Sequence, residues 1–290
     1  VLKIQKMTSF LKLFAVLILC SAMTCKQSET YRVLTYNIRL DTTADGVNQW
    51  GKRKERVADL LRKQTPSVFG VQEALHNQMT DLQALMPDYA WCGAGRDDGK
   101  TKGEYSAIFY KKEYLMPLDS GTFWLSETPA VPGSKSWDAA ITRVCSWVKL
   151  GIRGFQPRSF YVFNTHFDHI GEKARLESMK LIAKKIKEIA GDQPYVLMGD
   201  FNCEPASQPY AVAQDKTLWN LTDAWAADPA NANAQPCTFT GFKVEGAECR
   251  RIDYIFLSPF FKVKSCRIIP ENDGTHYPSD HLPVVADLNF

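Results

Sequence analysis

The sequence predicts an α/β or α+β sandwich, a single domain from about Thr30 to Phe290. Short β-branched and aromatic runs alternate with amphipathic helical stretches, and the strand-like runs outnumber the helical ones. Polar residues gather where apolar runs end, as they do when sheet edges deliver short loops to one rim. No Gly/Ser linker, low-complexity tract or internal repeat interrupts the alternation. Of 290 residues, 45% are hydrophobic and 23% charged, so core material is ample and the charge excess of a disordered chain is absent.

Residues 1–25 read as an export signal and 26–29 as a short linker. Lys3, Lys6 and Lys12 flank or precede the apolar run Leu13 to Cys20, too short to cross a bilayer and suited to a signal-peptide core. Cys25, after Ala22, Met23 and Thr24, resembles a bacterial lipoprotein attachment site, although Thr24 replaces the small residue usual there; lipidation and plain cleavage both stand open. The expected location is the periplasm or cell envelope, with membrane contact only through such an anchor.

Further along, Tyr31 to Ile38 reads as a strand, and Trp50 to Gln64 as a helix with Val57, Leu60 and Leu61 on one face among Lys and Arg. Ser67 to Gln72 returns to strand, and Trp147 and Phe160 to Phe163 belong to strands in mid-chain. Glu172 to Ala190 is the clearest helix: Leu176, Met179, Ile182, Ala183, Ile186 and Ile189 form one stripe, with Lys180, Lys184, Lys185 and Lys187 on a solvated face. Pro194 to Met198 is a strand ending at Gly199-Asp200, and Arg251 to Leu257, Lys262 to Ile269 and Leu282 to Leu288 complete the set. Cys92, Cys145, Cys203, Cys237, Cys249 and Cys266 form no CxxC pair, which argues against structural zinc. Cys237 and Cys249 could close a turn-rich loop, or all could remain buried thiols.

The chemistry lies at the strand ends. Asn37, Glu73, His166, Asp200, Asn202, Asp253 and Asp280 fall within or at the ends of apolar strands, where such side chains are uncommon unless paired or metal-bound. Each alone has a plain explanation: Glu73 suits the start of a helix, and Gly199-Asp200-Phe201-Asn202 an Asx-turn. Together they point to a reaction centre, and Ser279-Asp280-His281 adds a carboxylate suited to a hard cation beside an imidazole that can pair with another Asp.

Tyr36-Asn37, Val71-Gln72-Glu73, Asn164-Thr165-His166, Gly199-Asp200-Phe201-Asn202, Arg251-Ile252-Asp253-Tyr254 and Ser279-Asp280-His281-Leu282-Pro283-Val284 resemble, in order, the motifs of the endonuclease/exonuclease/phosphatase superfamily with the deoxyribonuclease I-like fold. The resemblance covers nearly the whole chain after the signal and suggests an exported bacterial member. It implies a four-layer α/β sandwich, two packed mixed β-sheets flanked by helices. It also implies Mg²⁺ or Mn²⁺ on Glu73, with Asn37 and Asp280 completing or supporting the metal shell. Asp200 would activate water, helped by Asn202; His281 would pair with Asp253 and meet the scissile phosphate; His166, supported by Glu104, would bind phosphate or protonate the leaving oxygen.

Phosphoester hydrolysis needs such a set, because a cation must neutralise oxygen charge, a base must hold water in line, and donors must meet the developing negative charge. Asn164, Arg143 and Arg39 are expected substrate contacts. The formal charge of +3 lacks the concentrated basic character of a dedicated nucleic-acid binder. The expected substrate is therefore a small phosphorylated molecule or lipid head group, handled by a monomer through mono- or diesterase activity. A nuclease is the alternative, and a non-catalytic binding protein on the same fold the reading from another class.

Overall fold

In the computed structural model, residues 30–154 and 158–290 are described. The signal, the linker and Cys25 lie outside them.

The elements run β1 (Thr30–Asn37), α1 (Trp50–Gln64), β2 (Val68–Ala74), α2 (His76–Leu85), β3 (Tyr89–Cys92), β4 (Tyr105–Lys111), β5 (Leu115–Trp124), β6 (Val144–Ile152) and β7 (Arg158–His166). Then come α3 (Glu172–Ile189), β8 (Tyr195–Asp200), α4 (Gln208–Ala213), β9 (Thr222–Asp223), α5 (Ala224–Ala227), β10 (Asp253–Leu257), β11 (Lys262–Ile268) and β12 (Val284–Asn289). They form two six-stranded sheets, ordered β11-β12-β1-β2-β4-β3 and β5-β6-β7-β8-β10-β9. Each sheet holds one parallel pair, β1 with β2 and β7 with β8, joined through α1 and α3 respectively. A parallel pair needs such a crossover, and the helix then covers the outer face of its own sheet.

Alternation along the strands sorts the core into three layers. Val33, Val68, Val148, Val162, Met198, Ile255 and Leu288 fill the space between the sheets. Leu34, Phe69 and Val71 point outward onto Val57, Leu60 and Leu61 of α1 and Met79 and Leu82 of α2. Phe163, Leu197 and Phe256 meet Met179, Ile182 and Ile186 of α3. The lysines of α3 pair with Glu177, Glu188 and Asp192 at its surface, as a solvated face should.

Toward one rim the inter-sheet layer turns polar. Asn164, wholly buried on β7, donates Nδ2 to the carbonyls of Val71 (3.0 Å) and Ala107 (2.8 Å) in the other sheet and accepts from Gln72 Nε2 at 2.6 Å. Both carbonyls lie where the β2–β4 ladder breaks at a bulge between Val71 and Ala74. The amide therefore satisfies groups that the bulge leaves open. This corrects its expected role: sealed between the sheets, Asn164 cannot touch substrate. The close approach requires Gly70, since a Cβ there would stand 2.7 Å from Asn164 Cγ.

Asn164→Leu strands two carbonyls and the Gln72 amide in the interior, and should lower unfolding free energy by about 3 kcal/mol or more in urea titration. Gly70→Ala should destabilise through the clash alone, and the two substitutions should be non-additive because both act on one contact.

Candidate active site

The polar rim sits at the carboxyl ends of both parallel pairs, where Asn37 aligns with Gln72 and His166 with Asp200; Asp253 faces Asp200 from antiparallel β10. Ligands of open α/β sheets bind beyond these strand ends. The two half-sites are joined by one amide: Asn37 Nδ2 donates to Glu73 Oε1 and to Asp200 Oδ2, both at 3.0 Å. Gly199 lets β8 run close to β7, because at φ 146° a Cβ would lie 2.1 Å from the Thr165 carbonyl.

Part of the backbone strain lies here. Arg39 (φ 57°), Glu73 (φ 63°) and Asn202 (φ 47°) all occupy the left-handed region that costs a non-glycine residue energy. Each conformation re-aims a polar side chain at a strand end, Glu73 at the β2 bulge.

Asp200 lies between two imidazoles, its Oδ2 3.4 Å from His166 Nε2 and 3.6 Å from His281 Nε2. Its Oδ1 accepts from the Asn202 amide at 2.9 Å. Burial, then the charge of Asp253, raises its pKa to about 7 against the opposing pull of His281 and Asn37. His281 Nδ1 meets Asp253 Oδ2 at 2.8 Å. Burial disfavours the imidazolium, but the carboxylates of Asp253 and Asp200 outweigh it and raise its pKa to about 10. His166 is driven the other way, well below the ordinary value, by burial and then by Arg143, Arg96 and His281. The two histidines beside one carboxylate thus differ in protonation, His281 charged and His166 neutral.

Beside this trio, Glu73 Oε2 and Asp280 Oδ2 share a neighbour, Arg39 Nη1, at 3.8 and 4.0 Å. Leu40 N–H also reaches Glu73 Oε2 at 3.2 Å. Burial raises the Asp280 pKa, opposed by His281, and the charge of Glu73 raises it further. Hard oxygen donors pressed together without full neutralisation fit a hard divalent cation, so Glu73 and Asp280 have the chemistry of a metal shell; Asn37 supports it through Nδ2 on Glu73, its Oδ1 accepting from the Arg39 N–H at 3.0 Å. Asp200, Asp253 and His281 also lie close enough to share an ion among the described residues. A protonated His281 tied to Asp253 has no lone pair to give, which favours the Glu73 and Asp280 set.

Glu104 stands just before β4 and does not reach His166 directly: Oε2 lies 3.9 Å from Nδ1 and is held instead by Arg96 Nη1 at 2.7 Å. Burial raises its pKa against Arg96. Arg143 is buried behind it, lining the same cleft as His166 and Asp200. The cleft, of about 340 Å³, is also walled by Arg39, Ile141, His169, Phe239 and Arg250.

The sequence reading passed over several residues that build the site. Arg53, 2% exposed, carries its guanidinium into the carbonyls of Asn48 (2.8 Å), Arg39 (2.7 Å), Pro278 (3.2 Å) and Ile38, pinning the segments after Asn37 and before Asp280. On helical pattern it is one more basic residue of α1, and nothing in its spacing sets it apart. Thr238 Oγ1 accepts the amides of Ile252 (3.0 Å) and Asp253 (3.1 Å), while Thr240 N–H donates to the Asp280 carbonyl at 2.8 Å. Cys237 and Cys249, left open above, are joined by a disulfide that closes this loop. Trp124, close by, is buried, its Nε1 donating to the Arg96 carbonyl at 2.6 Å.

In a ring-nitrogen NMR titration of metal-free protein, His281 should keep its charge up to about pH 10 while His166 stays neutral across the same range. Because its folded pKa is the higher one, the stabilising contribution of His281 is present below its unfolded value and lost as pH rises through about 10. A His281 midpoint at the ordinary value of about 6.5 would refute the pairing.

Comparison with known proteins agrees with this geometry. The family model described as Endonuclease/Exonuclease/phosphatase family matches residues 34–281. The endonuclease/exonuclease/phosphatase from Bacteroides vulgatus is 40% identical at a TM-score of 0.83, covering 90% of this chain and 99% of that one. The mannosyl-6-phosphatase of Bacteroides thetaiotaomicron is 36% identical at 0.80, covering 90% and 100%. Nocturnin of Drosophila melanogaster is 27% identical over 329 residues, covering 97% of this chain and 49% of the relative, so this chain spans about half that relative's length. With two mixed sheets between helical layers and a family match across both of them, this chain belongs to the endonuclease/exonuclease/phosphatase family, on its deoxyribonuclease I-like sandwich.

Proposed function

We propose that this protein hydrolyses phosphoester bonds with the help of Mg²⁺ or Mn²⁺, and acts on a small phosphorylated molecule or lipid head group. The observation that carries the reading is the Asp200 carboxylate, with a pKa of about 7 between a charged and a neutral imidazole. A general base works best when its pKa lies near the working pH. Attack of water on phosphorus passes one proton to Asp200. The ester P–O bond breaks, the leaving oxygen takes a proton from a solvent water to give an alcohol and phosphate, and Asp200 returns its proton to solvent. His281, held charged by Asp253, donates to a phosphate oxygen as negative charge develops. His166, neutral and 3.0 Å from the Asn202 amide nitrogen, is a hydrogen-bonding partner for phosphate rather than a strong acid. A divalent ion on Glu73 and Asp280, once bound, would supply Lewis-acid polarisation of the phosphoryl oxygens.

Two features support a small substrate. The cleft, at about 340 Å³, lies in the range of small-ligand pockets, and the formal charge is only +3. A polynucleotide calls for an extended basic groove. The likeness to a mannosyl-6-phosphatase points the same way.

A panel of sugar phosphates, inositol phosphates, sphingomyelin and oligonucleotides, run with and without EDTA, tests the reading. EDTA should abolish turnover and added Mg²⁺ or Mn²⁺ restore it; turnover that survives chelation would sink the mechanism. Asp200→Asn should lower kcat by about 10³-fold with little loss of fold. The kcat/KM profile should rise as Asp200 loses its proton near pH 7 and fall as His281 loses its own near pH 10, a bell with limbs at about 7 and about 10.

A further inference from the structure

Two guanidinium groups that line the cleft have no part in the reaction as drawn and keep donors to spare. Arg143 is only 5% exposed, yet among the described residues its Nε and Nη1 find no hydrogen-bond partner. Its Nη2 meets His169 Nδ1 at 3.2 Å, while the carboxylates of Glu104 and Asp168 stay at 3.9 and 4.0 Å. A buried cation with idle donors is costly unless an anion completes it.

Arg250 is exposed, and among the described residues its guanidinium has no carboxylate partner; it lies over the Phe239 ring at 4.8 Å, and that ring meets His281 edge-on at 5.0 Å. Its backbone is fixed. Arg250 follows Cys249, whose disulfide to Cys237 brings the Cα atoms to 5.2 Å, and it forms a β-bridge with Phe239. A long basic side chain rooted in this way faces the cleft at lower entropic cost than one on an open loop.

Both cations line the cleft that holds Asp200: Arg143 with the Glu104 carboxylate 3.9 Å away, and Arg250 over the Phe239 ring that meets His281. Arg39, by contrast, is spent on Asp45, with contacts at 2.9 and 3.0 Å.

We propose that the cleft selects a terminal phosphate, the dianion of a phosphomonoester, gripped by Arg143 and Arg250, with Arg250 as the specificity-determining residue. The proposal rests on the phosphoester-hydrolase reading and narrows it. A monoester phosphate offers three free acceptor oxygens and a charge of about −2 above its second ionisation near pH 6. A diester offers two oxygens and a single charge, and leaves one guanidinium unmatched. Guanidinium groups bind such oxygens bidentately, which makes the second arginine a discriminator between the two esters.

The test compares a hexose 6-phosphate with its methyl diester at pH 8 in Mn²⁺, using wild type, Arg250→Met and Arg250→Lys, with circular-dichroism melting as the folding control. Wild type should favour the monoester. Arg250→Met should lower monoester kcat/KM about 10- to 100-fold and diester kcat/KM several-fold less, so that the ratio collapses, and Arg250→Lys should restore part of it. Equal loss on both esters, no loss on either, or a wild-type preference for the diester overturns the proposal. Calorimetry with inorganic phosphate separates this failure from that of the hydrolase reading. If neither ester turns over, the hydrolase reading falls, and the grip still stands or falls on whether Arg250→Met weakens phosphate binding at least tenfold.

Discussion

Each sheet carries part of the candidate site, so the site exists only while the sheets keep their relative register. Glu73, Asn37 and Asp280 belong to one sheet's rim, and His166, Asp200 and Asp253 to the other's. Apolar packing between sheets is strong but indifferent to small slides, because burial depends on area and not on direction. Amides are directional. Asn164 reaches from β7 into the broken ladder of the other sheet, and Asn37 reaches from β1 to both Glu73 and Asp200. A slide of an ångström would leave buried carbonyls and carboxylates without donors, which converts a soft interface into one with a single position.

The same burial creates the chemistry. Four ionisable groups, Asp200, Asp253, Asp280 and His281, are each less than a tenth exposed, and their charges settle one another. Asp253 lifts both Asp200 and His281, in one case by repulsion and in the other by attraction. Burial and the mutual charges of three side chains together thus set a carboxyl that titrates near neutrality beside an imidazole that stays charged. The cost appears in the backbone, where Arg39, Glu73 and Asn202 sit in left-handed conformations.

Much of the fold was legible in the sequence because period and composition report burial directly. The helix at Trp50–Gln64 and the strands before Asp200 and after Arg251 lie within a residue or two of where alternation places them. The motif residues were legible because polar groups at the ends of apolar strands violate the pattern around them. What escaped was whatever obeyed the pattern. Arg53 looks like helix surface and is buried, since its partners are backbone carbonyls that carry no sequence signature. Asn164 was misread because it shares a motif and a strand face with His166; what separates them is depth, since Asn164 lies two residues further from the rim, sealed against the carbonyls of Val71 and Ala107. His169, Phe239 and Arg250 came from loops, where neighbourhood is set by tertiary contacts alone.

The loop closed by Cys237 and Cys249 has one further property. It grips the rest of the site largely through main-chain bonds: Leu282 N–H to the Thr238 carbonyl at 2.6 Å, and the amides of Thr240 and Gly241 to the Asp280 carbonyl at 2.8 and 3.1 Å. Main-chain bonds are available to almost any sequence. Apart from Thr238 and Thr240, whose hydroxyls also bond this frame, side chains on this wall can therefore be exchanged while the groups behind it keep their places, so what the wall presents to the cleft can change without moving Asp253 or Asp280.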